Sequence, residues 1–590
     1  MKTLTKLFLA AASGVFALSC VTDAISDLAV KHGDGPTTEI TLSLEESRTQ
    51  LGEEADGVYP LYWSEGDAIS ANGVASNALT AQQAGSAVAG FVVSGELKTP
   101  YCIAYPVAAA NQVLFAAQQT HASDTSFGAG VSTMYGYSEN GLNVELKHLT
   151  GVLKIGVTGS ATLSHAQIST VDRAPIAGAF DFDFEKGEVK ATDASKYVIN
   201  YNCPITADAE GLALSSTPQY IHVAVPAGVY DELYVTLYDS EGGMMYATIK
   251  ADDKKPLVAG NVREFSNTIL YAPNESVFVI KDKDSLKEFA AQAATLEKNV
   301  LFVADVDMTG EEWTPIEGYT GTVLGNGYAI NGLTAPLFGT TSASFKGLHL
   351  TDVNINETEL PTVGALARKI VTAVTGNYPT VEHCSVSGSY TIENKNYIAT
   401  VKDSKAEFLY GAIVGWSLGV DIKDCVNNAT YTIKQVVNPA TEVMTLALPG
   451  GIVGLVNAYT RTDKSKVYAD IDGCINRGAI TIHDTTQPEG AGKVAYWMGG
   501  IIGFVRSANV SGAYIANCVN DAPITVTDLN SFAAQYTQIG GIVGNIEYLA
   551  SNLYEISNCE NTENGDILVT GKGNNMYIGG IAGYNYNCAH

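Results

Sequence analysis

The sequence predicts an all-β protein: two β-sandwich domains followed by a parallel β-helix, or solenoid, with one short helix at its start. Residues 37–272 consist of short alternating or β-branched runs separated by Gly, Asp and Pro, which is typical of sandwich strands. The last third of the chain instead repeats a five-residue phrase at intervals of 39 to 49 residues, and such periods indicate a repeat architecture. With 590 residues, 46% of them hydrophobic, the chain can bury several separate cores.

The first twenty residues have the pattern of an export signal. Lys2 and Lys6 precede an apolar run of about a dozen residues, which is too short to span a bilayer. The run ends in ALSC, which resembles a bacterial lipobox, so that Cys20 would carry the lipid. The alternative is an ordinary signal peptide with an incidental Cys20. We expect a lipoprotein signal peptide over 1–20, a tether over 21–36, and a lipid-anchored, surface-exposed protein of the bacterial outer membrane.

The charge balance argues against one class of partner. The chain has 62 acidic and 34 basic residues and a net charge of −28. Such an acidic excess repels phosphate backbones, so nucleic acid is not an expected partner. No cofactor is expected either, because the glycine-rich phrases lack the Lys and the following helix of a phosphate-binding loop.

Residues 37–272 divide most simply into two sandwiches of similar size. Runs such as TEITLSL, GFVVSG and ELYVTLYDSEGG are separated by turn residues, and no convincing amphipathic helix interrupts them. We therefore predict one sandwich over 37–155 and a second over 156–272.

Several motifs in this region occur in a recognisable order. Arg48-Thr49 is followed by WSEGDAI from Trp63, YCIAYP from Tyr101, HLTGVLKI from His148 and then VAVPAGVYDELYVTLYDSEGG. This order, after a lipobox, resembles the fimbrillin-like (Mfa-like) surface lipoproteins of Bacteroidetes. The resemblance implies two transthyretin-like β-sandwiches and a place in fimbriae or at the cell surface. Because some fimbrillins are cleaved after an Arg near the first strand, it also makes Arg48 a candidate site of proteolytic maturation.

Two of these motif residues have a simple structural interpretation. Trp63 precedes a Glu-Gly-Asp turn, so we expect its ring to cover the sheet while Gly66 and Asp67 reverse the chain. His148 is expected at the start of a strand.

The pattern changes after residue 276. KDSLKEFAAQAATLE has apolar residues on one helical face, which predicts a short helix over about 284–297 capped by Asp284 or Ser285. The following residues again indicate strands and turns, with a tight turn at Asn326-Gly327. Residues 277–360 are thus predicted to form the helix and the lead-in to the repeats.

Two phrases alternate over residues 361–590. The first is GAIVG or a close variant, and VGALA from Val363 is a degraded first copy; the five clear copies start at Gly411, Gly450, Gly499, Gly540 and Gly579. Its glycines suit a close backbone approach or a special φ angle, while Ile and Val fill the core. The second phrase has Ile, two spacers, Cys, one residue and Asn, followed by a β run.

The second phrase predicts a structural ladder. Equivalent residues of successive coils in a parallel solenoid stack about 4.8 Å apart, so an inward Cys forms an apolar column and a turn Asn can bond to the next coil's backbone. The predicted ladder residues are Cys384, Cys425, Cys474, Cys518, Cys559, Asn427, Asn476, Asn520 and Asn561. Metal binding is disfavoured because no CxxC or His-Cys spacing suits zinc. Disulfides between coils remain an alternative, although stacked Cβ vectors would be parallel.

The repeats also carry a family resemblance. WTPIEGYTGTVLGNGYAINGL, PLFG and FKGLHLTDVNI, followed by the two alternating phrases, are similar to the GLUG-type repeats of bacterial surface proteins. The similarity covers about residues 300–590 and implies a right-handed parallel β-helix.

These features favour a binding or structural protein over an enzyme. Glycan-cleaving β-helices need clustered carboxylates, whereas Asp305, Asp307, Glu311 and Glu312 are scattered or lie in turns. We expect a non-enzymatic adhesin or fimbria-associated protein that binds a glycan or a host or bacterial surface ligand through solenoid loops. The alternatives are a structural fimbrial tip or accessory subunit and a β-helix polysaccharide-degrading enzyme. Specificity is expected in the stretches where the repeats diverge, namely 387–410, 431–449 and 481–497.

Overall fold

A computed structural model places the chain in two compact units, 1–275 and 276–590. It describes residues 36–44, 62–123, 126–127, 130–205, 211–251, 254–273, 277–358, 360–372, 378–393, 406–436, 445–458, 468–485, 494–507, 512–531, 537–547, 555–573 and 576–585. The all-β class is confirmed, with parallel stacked sheets in the second unit and one short α-helix.

The first unit contains twenty-one described strands. They are β1 (Thr37–Leu44), β2 (Ser70–Ala71), β3 (Val74–Ala75), β4 (Val88–Ser94), β5 (Tyr101–Tyr105), β6 (Gln112–Phe115), β7 (Gln118–Ser123), β8 (Ser126–Phe127), β9 (Met134–Ser138), β10 (Asn143–His148), β11 (Thr150–Thr158), β12 (Thr162–Thr170), β13 (Ala177–Asp183), β14 (Glu188–Lys196), β15 (Val198–Asn202), β16 (Leu212–Ala213), β17 (Gln219–Pro226), β18 (Glu232–Asp239), β19 (Met244–Lys250), β20 (Val262–Glu264) and β21 (Ile269–Leu270).

These strands form four sheets. The first has the order β3-β2-β5-β9-β10-β1-β4 and the second the order β17-β11-β20, with β21 also paired to β11. The third has the order β19-β18-β12-β15-β7-β8, with β16 paired to β12, and the fourth the order β14-β13-β6. Burial alternates along β10, where every second side chain is buried, whereas β11 is buried on both faces.

The boundary predicted between residues 155 and 156 falls inside β11. Moreover, β6 and β7 precede that boundary but pair with β13 and β15, which follow it. Strand pairing therefore crosses the predicted division. Local sequence patterns define strands but not their partners, which are set by long-range packing.

Trp63 packs as predicted. The residue is 2% exposed, and its ring makes edge contacts with Phe91 and Tyr105, with ring centroids 4.9 and 5.3 Å away. The turn after it is closed by Asp67, whose carboxylate accepts hydrogen bonds from the Ser64 N–H at 2.7 Å and the Tyr105 hydroxyl at 2.8 Å. The prediction for His148 was wrong, because this residue ends β10 instead of starting a strand.

The second unit begins with β22 (Val277–Ile280) and α1 (Lys283–Gln292), and thirty-two further strands are described. They are β23 (Asn299–Phe302), β24 (Val306–Asp307), β25 (Thr322–Leu324), β26 (Ala329–Asn331), β27 (Phe338–Thr341), β28 (Ser344–Lys346), β29 (His349–Glu357), β30 (Thr362–Val363), β31 (Ala367–Val371), β32 (Thr380–Glu382), β33 (Ser385–Ile392), β34 (Ala406–Gly411), β35 (Val414–Leu418), β36 (Asp421–Lys423), β37 (Val426–Val436), β38 (Thr445–Gly450), β39 (Val453–Ala458), β40 (Tyr468–Asp472), β41 (Ile475–Asn476), β42 (Ile480–Thr485), β43 (Val494–Gly499), β44 (Ile502–Ser507), β45 (Gly512–Ala516), β46 (Val519–Asn520), β47 (Ile524–Ser531), β48 (Thr537–Gly540), β49 (Val543–Glu547), β50 (Glu555–Ser557), β51 (Glu560–Asn561), β52 (Ile567–Gly573), β53 (Met576–Gly579) and β54 (Ala582–Asn585).

Parallel pairing between successive coils builds four sheets, named S1 to S4 in the order in which each repeat coil visits them. S1 is β22-β23-β25-β28-β32-β36-β40-β45-β50, and S2 runs β24-β26-β29-β33-β37-β41-β46-β51, with β42, β47 and β52 beside it. S3 is β30-β34-β38-β43-β48-β53, and S4 is β27-β31-β35-β39-β44-β49-β54. The Cys-Asn phrase forms the corner between S1 and S2, and the GGIVG phrase forms the corner between S3 and S4.

The helix lies close to its predicted position but has a different cap. Its N-cap is Asp282, which accepts from the Ser285 N–H at 2.9 Å, and Ser285 completes a capping box. The helix ends at Gln292 and a short 3₁₀ turn, Ala293–Thr295, follows it. Phe289 attaches α1 to the first coils through ring contacts with Tyr319 and Phe338.

The predicted turn at Asn326-Gly327 is present. Both residues have positive φ, 54° and 78°, and the Tyr328 N–H donates to the Gly325 carbonyl at 2.9 Å. Two consecutive positive φ angles fit a type I′ turn, which Asn-Gly favours.

Candidate functional site

The GGIVG phrase is glycine-rich because backbones meet at the S3–S4 corner. A Cβ added at its second glycine would overlap the next coil: Gly451 faces the Gly500 carbonyl, and Gly500 faces the Gly541 carbonyl. A Cβ at the fifth glycine would overlap backbone of the preceding coil, as at Gly544 against Met498. Close approach, and not an unusual φ, therefore explains these glycines.

The degraded copy stacks in this series with a shift of one residue. Val363 pairs with Tyr410, so Gly364 lies below Gly411 and the phrase begins at Gly364. The Ala365 N–H donates to the Ala412 carbonyl at 2.9 Å, continuing the ladder of corner hydrogen bonds.

The S1–S2 corner has a feature that the sequence prediction missed. The residue before each ladder cysteine has a positive φ, and these residues are His383, Asp424, Gly473, Asn517 and Asn558. In this conformation the backbone N–H points along the solenoid axis, as when Asp424 donates to the Asp472 carbonyl at 2.9 Å. The preference for Asp, Asn and Gly at this position of the phrase was the available signal.

The five predicted cysteines form a column at this corner. Cys384, Cys425, Cys474 and Cys518 are buried, Cys559 is half-buried, and all five are free thiols. From Cys425 onwards, each thiol sulfur lies 3.5 to 3.6 Å from a carbonyl oxygen of the preceding coil. Burial raises the pKa of the Cys425 thiol well above its ordinary value, which keeps this thiol protonated.

The four predicted asparagines form a continuous side-chain ladder. The Asn427 amide donates to the Oδ1 of Asn476 at 2.7 Å, Asn476 donates to Asn520 at 2.8 Å, and Asn520 donates to Asn561 at 2.7 Å. The first three are fully buried. The expected partner was the next coil's backbone; the structure instead joins amide to amide, and Asn427 and Asn520 also bond to their own loops.

The ladder residues support the coils and offer no reactive centre. Among the described residues, no group of three or more His, Cys, Asp or Glu side chains is arranged to hold a metal ion. Asp305 and Asp307 accept hydrogen bonds from Ala329 and Thr309, and Glu311 accepts from Lys283 and Lys287, which lower its pKa to about 2. These acids serve turns and the helix.

Other predicted positions lie outside the described residues. These include Cys20 and Arg48, and the divergent stretches 387–410, 431–449 and 481–497 are described only in part. No helix within the described ranges is long and apolar enough to cross a membrane.

A second apolar cluster lies outside the solenoid core, between S3 and S4. Its members come from both sheets, namely Leu409, Leu446, Leu448, Leu455, Ala495 and Phe504, with half-buried Trp416 and Trp497 packed against them. Alternate residues of the same strands, such as Tyr410 and Tyr496, are fully buried on the other side. We call this cluster and its in-register continuations the seam.

The seam is built from two rows that follow the solenoid axis. On S4, strand pairing aligns Lys369, Trp416, Leu455, Phe504, Asn545 and Tyr584. On S3, it aligns Leu409 with Leu448, and Trp497 with Gln538 and Tyr577, at the matching register. Each S4 residue after Lys369 directly follows a GGIVG phrase, and each S3 residue lies two positions before one. The flanking positions of the repeated phrase were thus the sequence signal for the seam.

Ring contacts join the two rows across the seam. The Trp497 and Phe504 rings meet edge to face with centroids 4.6 Å apart, and the Tyr577 and Tyr584 rings lie 5.3 Å apart. Trp416, Trp497 and Tyr584 are half-buried and Tyr577 is exposed, so aromatic surface reaches solvent along the seam.

Charged side chains border the seam. The Lys369 ammonium lies 3.6 Å from the centroid of the Trp416 ring, and burial lowers the pKa of Lys369. Arg506 forms an ion pair with Glu407 across the two sheets and stacks over Phe504. Within the described part of the chain, Lys369 has no carboxylate partner.

Buried polar atoms in the seam lack partners. Gln538 is 3% exposed, and its Oε1 has no hydrogen bond among the described residues. The buried Nε1 of Trp416 is likewise unpartnered within the described ranges. Buried polar atoms are nearly always hydrogen-bonded in proteins, so these two call for an explanation.

The first unit has a separate small cleft. It has a volume of about 320 Å³ and is lined by Asn72, Lys98, Pro100, Cys102 and Phe184, among others. Asn72 already donates to the Lys98 carbonyl and accepts from the Cys102 N–H, both at 2.7 Å. The side-chain amide of Asn72 is therefore hydrogen-bonded within the fold.

Comparison with known proteins gives weak structural similarities. No protein-family model and no curated protein match the chain. Its solved-structure matches include a candidate immunoglobulin A1 protease from Bacteroides ovatus, with 15% identity and a TM-score of 0.33, covering 51% of this chain and 82% of that one. A candidate cell adhesion protein from Bacteroides ovatus has 10% identity, a TM-score of 0.25 and coverages of 41% and 97%. A fimbrial assembly protein from Parabacteroides distasonis has 10% identity, a TM-score of 0.16 and coverages of 36% and 99%. Scores this low carry no argument about function.

Proposed function

We propose that this chain is a lipid-anchored cell-surface adhesin whose solenoid binds an extracellular ligand without chemical turnover. The observation that supports this function is the seam, where half-buried tryptophans lie beside buried polar atoms that have no partner among the described residues. Such a combination of apolar surface with a few polar groups is typical of binding sites. The lipobox-like end of the signal sequence supports the location.

The binding part of this proposal is tested with the full chain purified in detergent. The protein is applied to an array of glycans, host matrix proteins and bacterial surface polysaccharides. We expect saturable binding to at least one immobilised ligand that survives washing and releases no fragments. Release of oligosaccharides or peptides from the bound ligand would contradict the non-enzymatic part, and binding to nothing would contradict the adhesin.

The anchor is tested separately in cells. Metabolic labelling with palmitate should mark the wild-type protein and not Cys20→Ala, and only the labelled form should remain in the outer-membrane fraction. Equal labelling of both proteins would show that Cys20 carries no lipid. Recovery of the protein with sheared fimbriae would instead favour the fimbrial accessory role.

A further inference from the structure

We propose that the seam binds an extended acidic polysaccharide whose chain lies along the solenoid axis. This inference rests on the proposed adhesin function and assigns its ligand class and its site. The sequence led us to expect ligand binding through solenoid loops, whereas the residues proposed here to contact the ligand lie on the strands of S3 and S4.

The spacing of aromatic residues in the seam fits a polymer of sugars. Trp416, the Trp497–Phe504 pair and the Tyr577–Tyr584 pair occur on every second coil. With coils about 4.8 Å apart, aromatic surface recurs about every 10 Å. One coil is close in length to one sugar residue of an extended glycan, and alternate residues of such a chain present the same face. The aromatic residues on every second coil would therefore each contact the same face of a sugar residue.

The polarity of the seam also fits a carbohydrate. A sugar ring has an apolar face, which stacks on aromatic rings, and equatorial hydroxyls, which both donate and accept hydrogen bonds. The unpartnered Gln538 Oε1 needs a donor, and the Trp416 Nε1 needs an acceptor. Hydroxyl groups supply both roles, but both atoms are covered by protein in this structure, so a sugar hydroxyl reaches them only when the Gln538 and Trp416 side chains change rotamer.

The charge of the seam selects an acidic sugar. Lys369 has no carboxylate partner among the described residues, and Arg506 and Glu407 balance each other. The Lys369 cation lies beside a half-buried tryptophan in a chain whose net charge is −28. A uronate carboxylate would pair with Lys369 while its ring stacks on Trp416, combining an ion pair with an aromatic contact.

The test measures affinities of the full chain for hyaluronate, alginate and polygalacturonate, each compared with its methyl ester. We expect at least one acidic polymer to bind, and its ester to bind about tenfold more weakly. Lys369→Gln should abolish this preference while keeping ester binding. Its control is Lys434→Gln, which changes an exposed lysine outside the seam.

The aromatic contacts are tested in the same assay. Trp416→Ala and Trp497→Ala should each weaken binding about tenfold, as expected for loss of one stacking platform. Trp497→Phe, which keeps a ring against Phe504, should retain most of the affinity, and unchanged circular dichroism and melting temperature in Trp497→Ala would exclude an effect of folding. Tyr62→Ala is the control, because Tyr62 is 49% exposed and lies in the other unit.

The possible outcomes separate this inference from the adhesin function. If polysaccharide binding persists unchanged in all seam variants, the seam assignment is overturned and the adhesin function stands. If the wild type binds a protein ligand on the array but none of the acidic polymers, the ligand class is overturned. If it binds nothing on either panel, the proposed function itself fails.

Discussion

At the scale of single residues, the buried polar groups of the two units differ in how completely they are hydrogen-bonded. The asparagine ladder satisfies each buried amide through the next coil, so its hydrogen bonds connect coils that are distant in sequence. His148 in the first unit is less well satisfied. Its Nδ1 lies 3.3 Å from the Ser132 hydroxyl, and its buried Nε2 has no partner among the described residues.

Replacing Asn476 by Ala should destabilise the second unit. The change leaves buried polar atoms of Asn427 and Asn520 without their ladder partner, at a cost of about 1 to 3 kcal/mol for each unsatisfied group. The measurement is urea-induced unfolding followed by circular dichroism. Arg477→Ala, which alters the exposed neighbouring residue, should have little effect; an equal loss in both variants would show that the ladder does not stabilise the coils.

The first unit should lose stability in mild acid because of His148. Burial lowers its pKa to about 4, below the usual value of 6.5, so the unfolded chain takes up the proton first. The free energy of unfolding is therefore highest above pH 6.5 and falls between pH 6.5 and pH 4, by at most roughly 3 kcal/mol from this group. His222, whose pKa is also lowered to about 4 by burial, adds a similar decrease.

This pH dependence is measured by urea unfolding at several pH values. His148→Gln should reduce the slope and leave the parts due to His222 and to His165, whose pKa is also lowered by burial. Ser132→Ala removes the hydrogen-bond partner without removing the titrating ring, so it should keep the full slope. An unchanged slope in His148→Gln would contradict the assignment.

At the scale of elements, each repeated phrase forms a corner whose backbone geometry restricts which residues fit. At the S3–S4 corner, glycines let neighbouring backbones approach, and the flanking residues are free to vary. At the S1–S2 corner, a residue with positive φ turns its N–H towards the next coil. The repeats are therefore constant where backbones meet and variable where side chains form the seam.

Gly500→Ala should disrupt the corner. Its Cβ would overlap the Gly541 carbonyl and the Asn520 side chain, so the coils must separate locally, and we expect a loss of several kcal/mol. Gly580 occupies the same place in a later copy and has nothing within 4 Å of an added Cβ. Gly580→Ala should therefore be nearly neutral when the two variants are compared by thermal unfolding. Equal melting temperatures for the two variants would contradict this account.

The elements that were predictable from sequence are those with a local signal. Coil length, the Cys and Asn columns and the Asn326-Gly327 turn follow from spacing and residue type. The pairing of β6 with β13 has no such signal, because any alternating strand can pair with another.

The seam was overlooked because its residues flank a conspicuous phrase and differ from copy to copy, as Trp416, Phe504 and Asn545 show. Asp282 was missed because helix boundaries are uncertain by a few residues.

At the scale of the whole molecule, the two units have separate hydrophobic cores. Leu153 and Ile155 belong to a core cluster made only of first-unit residues, whereas Ile471 is buried in the second unit. The second unit repeats one coil and gains stability from contacts between neighbouring coils, while the first depends on sheet packing. Two kinds of core in one chain imply two cooperative transitions.

Calorimetry of the full chain should therefore resolve two unfolding transitions. Leu153→Ala should lower the melting temperature of the first unit only, and Ile471→Ala that of the second unit only. Each substitution should reduce the free energy of unfolding of its own unit by about 2 to 5 kcal/mol, because both side chains are fully buried. Lowering the pH from 6.5 to 4 should then shift the transition that Leu153→Ala affects, because His148 and His222 lie in that unit. A single transition that responds equally to both substitutions would mean that the two units unfold together.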